Sequence, residues 1–177
     1  MANYSITLSL FLPKKIVEAL KEVKVSGNLA FDWRDSDFCH CTVKAISICD
    51  EIPKKEILDE WIAKSKNVLD AQKSFKINIK NIAKFPTALF ANIKSNELSK
   101  LHKKLFKTLP GSQPQFEDKN YVPHVSIGVL NQDVEIVLGK ERNFGEFEVK
   151  EILLVIWNLK ELNKPVICHK FRLADTL

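Results

Sequence analysis

No uninterrupted apolar run in this chain approaches the roughly 20 residues that a helix needs to span a bilayer, so there is no candidate membrane segment. The opening Met1-Ala2-Asn3-Tyr4-Ser5 lacks the basic start and long apolar stretch of a signal peptide, and a cytoplasmic protein is expected. CxxC spacing is also missing: Cys39, Cys41, Cys49 and Cys168 are scattered, which argues for reduced, partly buried thiols rather than a disulfide framework. Low-complexity stretches and linkers are absent too, so residues 1–177 are read as one domain, with a monomer as the default expectation. What is present is the composition of a soluble globular protein, 45% hydrophobic and 28% charged, with a formal net charge of +5. That mild excess of positive charge concentrates anions near the surface and points weakly toward an anionic partner such as RNA or a nucleotide.

Alternating apolar residues place strands at Tyr4 to Leu12, Cys39 to Ile48, Ser74 to Lys84, Ala88 to Lys94, Pro123 to Leu130, Glu146 to Leu159 and Pro165 to Leu173. Helical spacing runs from Pro13 through Val23, from Pro53 to about Gln72, and from a cap at Ser95 or Asn96 to Leu109, with a short helix over Asp133 to Arg142. Ser26 to Asp37 and Gln113 to Val122 read as loops, the former with room for one short strand. The order of strands and helices repeats loosely in the two halves, which suggests two similar lobes.

One pattern occurs twice. His40-Cys41-Thr42-Val43 and His124-Val125-Ser126-Ile127 both read histidine, any residue, hydroxyl residue, aliphatic residue, with the histidines 84 residues apart. On a strand, positions two apart share a face, so each copy sets an imidazole beside a hydroxyl. Lys44 follows on the same face of the first copy, and Gly128 would leave room for a substrate in the second. A lone strand histidine is more often structural than catalytic, but the matched pair favours function.

Two imidazoles converging on one phosphorus are suited to splitting a phosphodiester. The neutral ring accepts a proton from the attacking oxygen and the protonated ring gives one to the leaving oxygen, without need of a metal. Thr42 and Ser126 would donate to the non-bridging phosphate oxygens as their charge grows. Cys39-His40-Cys41 with Cys168-His169 invites a zinc reading, but alternation turns both cysteines away from His40; no metal or other cofactor is expected. Lys44, Phe116 and Tyr121 are candidates for substrate contact, the aromatics by stacking on a base, while Trp157 is assigned to core packing and His102 and His169 to structural or solvent positions.

The pair of motifs resembles the signature of the 2H phosphoesterase superfamily, the group containing the bacterial and archaeal RNA 2′,3′-cyclic phosphodiesterases also called 2′-5′ RNA ligases. The opening strand ending at Leu12-Pro13, the Phe85-Pro86 break, the leucine-rich helix through Leu101-His102 and Pro123-His124-Val125-Ser126 match in order. The resemblance implies an α+β fold of two pseudo-symmetric lobes, each an antiparallel sheet with helices on its outer face, flanking a central groove. It also implies hydrolysis of 2′,3′-cyclic phosphate ends of RNA or nucleotides to 2′-phosphates, with reversible 2′-5′ ligation as a further activity. His40, Thr42, His124 and Ser126 take the matching roles. Lys44-Ala45-Ile46 departs from the family, whose members often carry an aromatic or aliphatic residue and then a glycine there. Alternatives are a phosphodiesterase acting on 2′-5′ oligoadenylate or ADP-ribose cyclic phosphate, and a non-catalytic RNA-binding module.

Overall fold

The computed structural model describes residues 2–24, 29–111, 113–131 and 142–175. Its elements are β1 (Tyr4–Phe11), α1 (Lys14–Lys21), β2 (Leu29–Asp32), β3 (His40–Cys49), α2 (Lys55–Leu69), β4 (Phe75–Phe85), β5 (Ala88–Lys94), α3 (Asn96–Thr108), β6 (His124–Leu130), β7 (Asn143–Val149), β8 (Glu151–Asn158) and β9 (Val166–Arg172). Proline precedes α1, where its fixed φ and missing N–H suit a helix start. Ser95 caps α3 by accepting from the Leu98 N–H at 3.2 Å. All but the last residue of the short helix expected over Asp133 to Arg142 fall outside the described residues, as does Ser26 to Asn28 of the first expected loop.

Two antiparallel sheets carry the fold. The first runs β3-β1-β8-β9 and the second β2-β6-β5-β4-β7. The lobes therefore are not the two halves of the sequence: β8 and β9 return to complete the first sheet, and β2 crosses to the edge of the second. The single strand expected from Glu146 to Leu159 is divided at Lys150, with β7 closing one sheet and β8 entering the other. A continuous apolar alternation carries no mark of such a crossing, because both strands bury one face.

Each sheet buries a rear face. In the first, Ile6, Leu8 and Leu10 of β1 and Ile152, Leu154 and Ile156 of β8 are buried, with α3 packed on β3 and α2 on β9. In the second, Ile77, Ile79, Ala91, Ile93 and Val125 are buried, with α1 packed on β7. His40 and His124 lie on the opposite faces, and in the first sheet that face is largely covered as well, with Ser9, Leu153, Val155 and Trp157 buried on it. Among the described residues no helix is long and apolar enough to cross a membrane.

Candidate active site

β3 is the edge strand of the first sheet, and β6 of the second lies against it without pairing; the Cys39 thiol reaches the Ser126 carbonyl at 3.8 Å. The two motifs are thus brought together where the sheets meet. Both histidines are held alike. His40 Nδ1 donates to the carbonyl of Phe38 at 2.9 Å, and His124 Nδ1 donates to that of Val122 at 2.7 Å. A carbonyl can only accept, so each neutral ring keeps its proton on Nδ1 and leaves Nε2 available for proton transfer.

Aromatic rings fix both imidazoles further. Trp157 stacks on His40 with centroids 4.3 Å apart, and Trp33 stands edge-on at 4.8 Å. Phe85 and Phe90, stacked on each other, flank His124 at 5.4 and 5.2 Å. Burial of His40, 6% exposed, pushes its pKa down to about 4, because a charged imidazolium loses its hydration there; the Phe38 hydrogen bond opposes this and His124 adds to it. His124 is shifted down as well, again mainly by burial.

The aromatic partners were hidden from pattern reading. Trp33 lies in a segment that reads as a loop, yet Arg34 ties it down by a pair of bonds to the Asp32 carboxylate and by donating to the Leu20 and Val23 carbonyls at the end of α1. Trp157, assigned to core packing, is buried and also forms one wall of the His40 ring; its Nε1–H donates to Thr7 Oγ1 at 2.8 Å, which in turn lies 2.8 Å from Ser9 Oγ. Ser9 is the cross-strand partner of Thr42.

The alternation that places Lys44 beside Thr42 is broken by a β-bulge. Ser9 pairs with Thr42 but Leu8 pairs with Lys44, so Val43 is the extra residue, and Lys44 shares the rear face with Leu8. There Lys44 is 1% exposed and binds Glu117 at 2.5 Å and the Ala45 carbonyl at 2.6 Å. It is a structural cation rather than a substrate contact. The second motif repeats the irregularity: Phe90 pairs with Ser126 and Leu89 with Gly128, leaving Ile127 as the extra residue. Gly128 accordingly faces away from the site, where a Cβ would meet Leu29 at 2.6 Å; close packing, not substrate, requires the glycine. In both motifs the bulge falls on the aliphatic residue after the hydroxyl.

Tyr121 differs from expectation too. Its ring lies flat on His102, centroids 3.8 Å apart, and its hydroxyl donates to the Thr42 carbonyl at 3.0 Å, so one face and the polar tip are committed. His102 is buried, donating from Nδ1 to the Val43 carbonyl at 2.8 Å and accepting at Nε2 from the Asp118 N–H at 3.0 Å. Phe116 is 59% exposed on a 3-10 turn directly before Glu117. Cys41, opposite Leu10, faces the rear, Cys39 turns its thiol toward the Ser126 carbonyl, and burial pushes both thiols up to about 12. Among the described residues no three His, Cys, Asp or Glu side chains are grouped so as to hold a metal ion.

Two antiparallel sheets meeting at a pair of carbonyl-anchored histidines, each with a hydroxyl two residues on, define the class. The chain belongs to the 2′-5′ RNA ligase superfamily, whose family model matches residues 13–161. Among solved structures it is similar to LigT of E. coli in its complex with 3′-AMP, with a TM-score of 0.74 at 12% identity over 97% of this chain and 98% of that one. It is also similar to TT0787 of Thermus thermophilus, with a TM-score of 0.62 at 19% identity over 98% of this chain and all of that one. A structure described as a phosphoesterase aligns with a TM-score of 0.73 at 13% identity, over 96% of this chain and 98% of its own. LigT has also been solved with ATP and with NADP+. A search of curated protein sequences found no match.

Proposed function

We propose that this protein is a metal-independent phosphodiesterase that opens 2′,3′-cyclic phosphates at RNA ends or on nucleotides, leaving a 2′-phosphate. The observation that carries the reading is the duplicated anchoring: each imidazole is locked through Nδ1 to a carbonyl two residues upstream, with its Nε2 unengaged among the described residues. His40, Thr42, His124 and Ser126 form the reacting set. The membership of the 2′-5′ RNA ligase superfamily and the nucleotide-bound relatives support a nucleotide substrate.

In this reading a water attacks the phosphorus while His40, which its pocket keeps neutral, takes the water proton on Nε2. The bond from phosphorus to O3′ breaks, and protonated His124 delivers its Nε2 proton to O3′. The substrate phosphate supplies the negative charge that favours protonation of His124 in the complex. Thr42 and Ser126 hydroxyls donate to the non-bridging oxygens, where charge accumulates. With a 5′-hydroxyl end attacking in place of water, the same groups form a 2′-5′ linkage as the P–O3′ bond breaks, and the reverse step, attack by O3′, releases the 5′-hydroxyl and restores the cyclic phosphate.

The test is turnover of 2′,3′-cyclic AMP and of a short RNA with a cyclic phosphate end, in the presence of a chelator, with the 2′-phosphate product identified. Loss of turnover with chelator, or a 3′-phosphate product, contradicts the mechanism. A substrate panel including 2′-5′ oligoadenylate and ADP-ribose cyclic phosphate separates the neighbouring activities.

A further inference from the structure

The face of the second sheet that carries His124 continues sideways into a polar patch. Asn92 of β5 is the cross-strand partner of His124, and Lys80 of β4 is the partner of Asn92. Cross-strand partners share a face, so His124, Asn92 and Lys80 stand in one row across three strands. Two residues along β5 from Asn92 is Lys94, whose partner on β4 is Asn78. Two lysines and two amides thus occupy alternate corners of one patch. The other face of the same strands is apolar and buried, at Ile77, Ile79, Ala91 and Ile93.

The patch is built and its cations are available. Among the described residues neither Lys80 nor Lys94 is in an ion pair; the nearest acid in register, Glu146 opposite Asn78, is engaged by Lys76 at 3.1 Å. Asn78 Oδ1 is shielded from solvent yet has no hydrogen-bond partner among the described residues, which ordinarily costs free energy unless a ligand supplies a donor. Asn92 Nδ2 donates to the Asn81 carbonyl at 3.3 Å. Asn81, at φ 32°, is the extra residue of a bulge beside Lys80, and it is fixed by backbone and side-chain bonds with Arg142 at 3.0 and 2.9 Å. With neighbouring strands about 4.8 Å apart, Lys80 stands two strand spacings from the proton-transfer group, within reach of a long side chain.

We infer that this patch is a second-phosphate subsite: it takes the phosphodiester 5′ to the terminal nucleotide of an RNA strand whose cyclic phosphate lies between the histidines. The inference rests on the proposed phosphodiesterase reading and narrows its substrate from nucleotides to RNA ends. Lys80 and Lys94 neutralise the added phosphate, and the Asn78 and Asn92 amides face the sugar or base attached to it.

The experiment compares KM for a cyclic-phosphate mononucleotide with that for a trinucleotide ending in the same cyclic phosphate, at two salt concentrations. The wild type is expected to favour the trinucleotide by about tenfold in KM, the size of one charge-assisted hydrogen bond, and to lose that advantage as salt rises. In K80Q/K94Q the ratio of the two KM values falls toward one, whereas in K103Q/K104Q, which removes the same charge from exposed positions on α3, the ratio stays at its wild-type value. Turnover of both substrates with equal KM in the wild type, or an unchanged ratio in K80Q/K94Q, overturns the subsite alone. Absence of turnover on both substrates overturns the phosphodiesterase reading as well.

Discussion

At the scale of single residues, the proposed reaction depends on a pair of buried imidazoles in opposite protonation states, His40 neutral as the base and His124 protonated as the acid once phosphate is bound. Replacing either His40 or His124 with alanine should lower kcat by about 10²- to 10⁴-fold, the usual contribution of a positioned acid or base, with a smaller change in KM. Thr42→Val and Ser126→Ala each remove one donor from the developing charge, and a loss in kcat of about 10²-fold is expected from steady-state kinetics. The pH profile has a definite sign. kcat/KM reports the free enzyme, so it should rise through about pH 4 as His40 becomes neutral and fall through a value below 6.5 as His124 loses its proton. The profile of kcat should lie at higher pH, because bound phosphate favours the charged form of His124.

The same burial couples pH to folding. An unfolded histidine binds a proton near pH 6.5, while folded His40 does so only near 4, so the unfolded state holds more protons between these values. Stability contributed by neutral His40 is therefore present above 6.5 and is lost as pH falls toward 4, by on the order of 3 kcal/mol. Urea melts at pH 7 and pH 4.5 check this, and the decline should be smaller in His40→Gln.

At the scale of elements, the edge of β3, which pairs with no further strand, is the feature to test. An edge strand presents carbonyls with no neighbouring strand to satisfy them. Here Tyr121 caps Thr42, His102 caps Val43 and the Lys44 ammonium caps Ala45. The segment leading into the second motif is thereby fastened to the first. Tyr121→Phe keeps the stacking on His102 and removes only the hydroxyl, so it should cost about 1 kcal/mol of stability and lower activity by shifting Thr42. Gly111 lets the Glu117 carboxylate approach, since a Cβ there would fall 2.5 Å from Oε2. Lys44→Met should destabilise by about 3–5 kcal/mol by leaving Glu117 buried and unpaired. The double variant with Glu117→Leu should recover most of that loss in denaturant melts.

These elements also explain what pattern reading could and could not reach. Most strands, the three longer helices and the meeting of the two motifs were legible because alternation and helical spacing follow from which face is buried, but the crossing at Lys150 that separates β7 from β8 was not. A β-bulge leaves no trace in composition, and every residue after it changes face. Lys44 and Gly128 were misplaced for that reason alone, each just beyond the bulge of its motif. Trp33 and Tyr121 were beyond reach for another reason: their positions depend on bonds to distant chain, from Arg34 to the end of α1 and from Tyr121 to the edge of β3.

At the scale of the whole molecule, the chain leaves the first sheet after β3 and returns to it at β8, so neither motif-bearing sheet forms from one half of the sequence. Both sheets must assemble before the histidines meet, and a fragment ending before β8 should lack both fold and activity, as circular dichroism and turnover would report. The proposed reaction needs the two anchored histidines to act as a pair on a cyclic phosphate. The most direct measurement is single-turnover hydrolysis of a cyclic-phosphate RNA with chelator present, for the wild type, His40→Ala, His124→Ala and the double variant. Because the residues act as a unit, the expected result is wild-type turnover to a 2′-phosphate and a double variant scarcely slower than either single one. Turnover that survives in both single variants, or that requires a metal, would contradict the pairing.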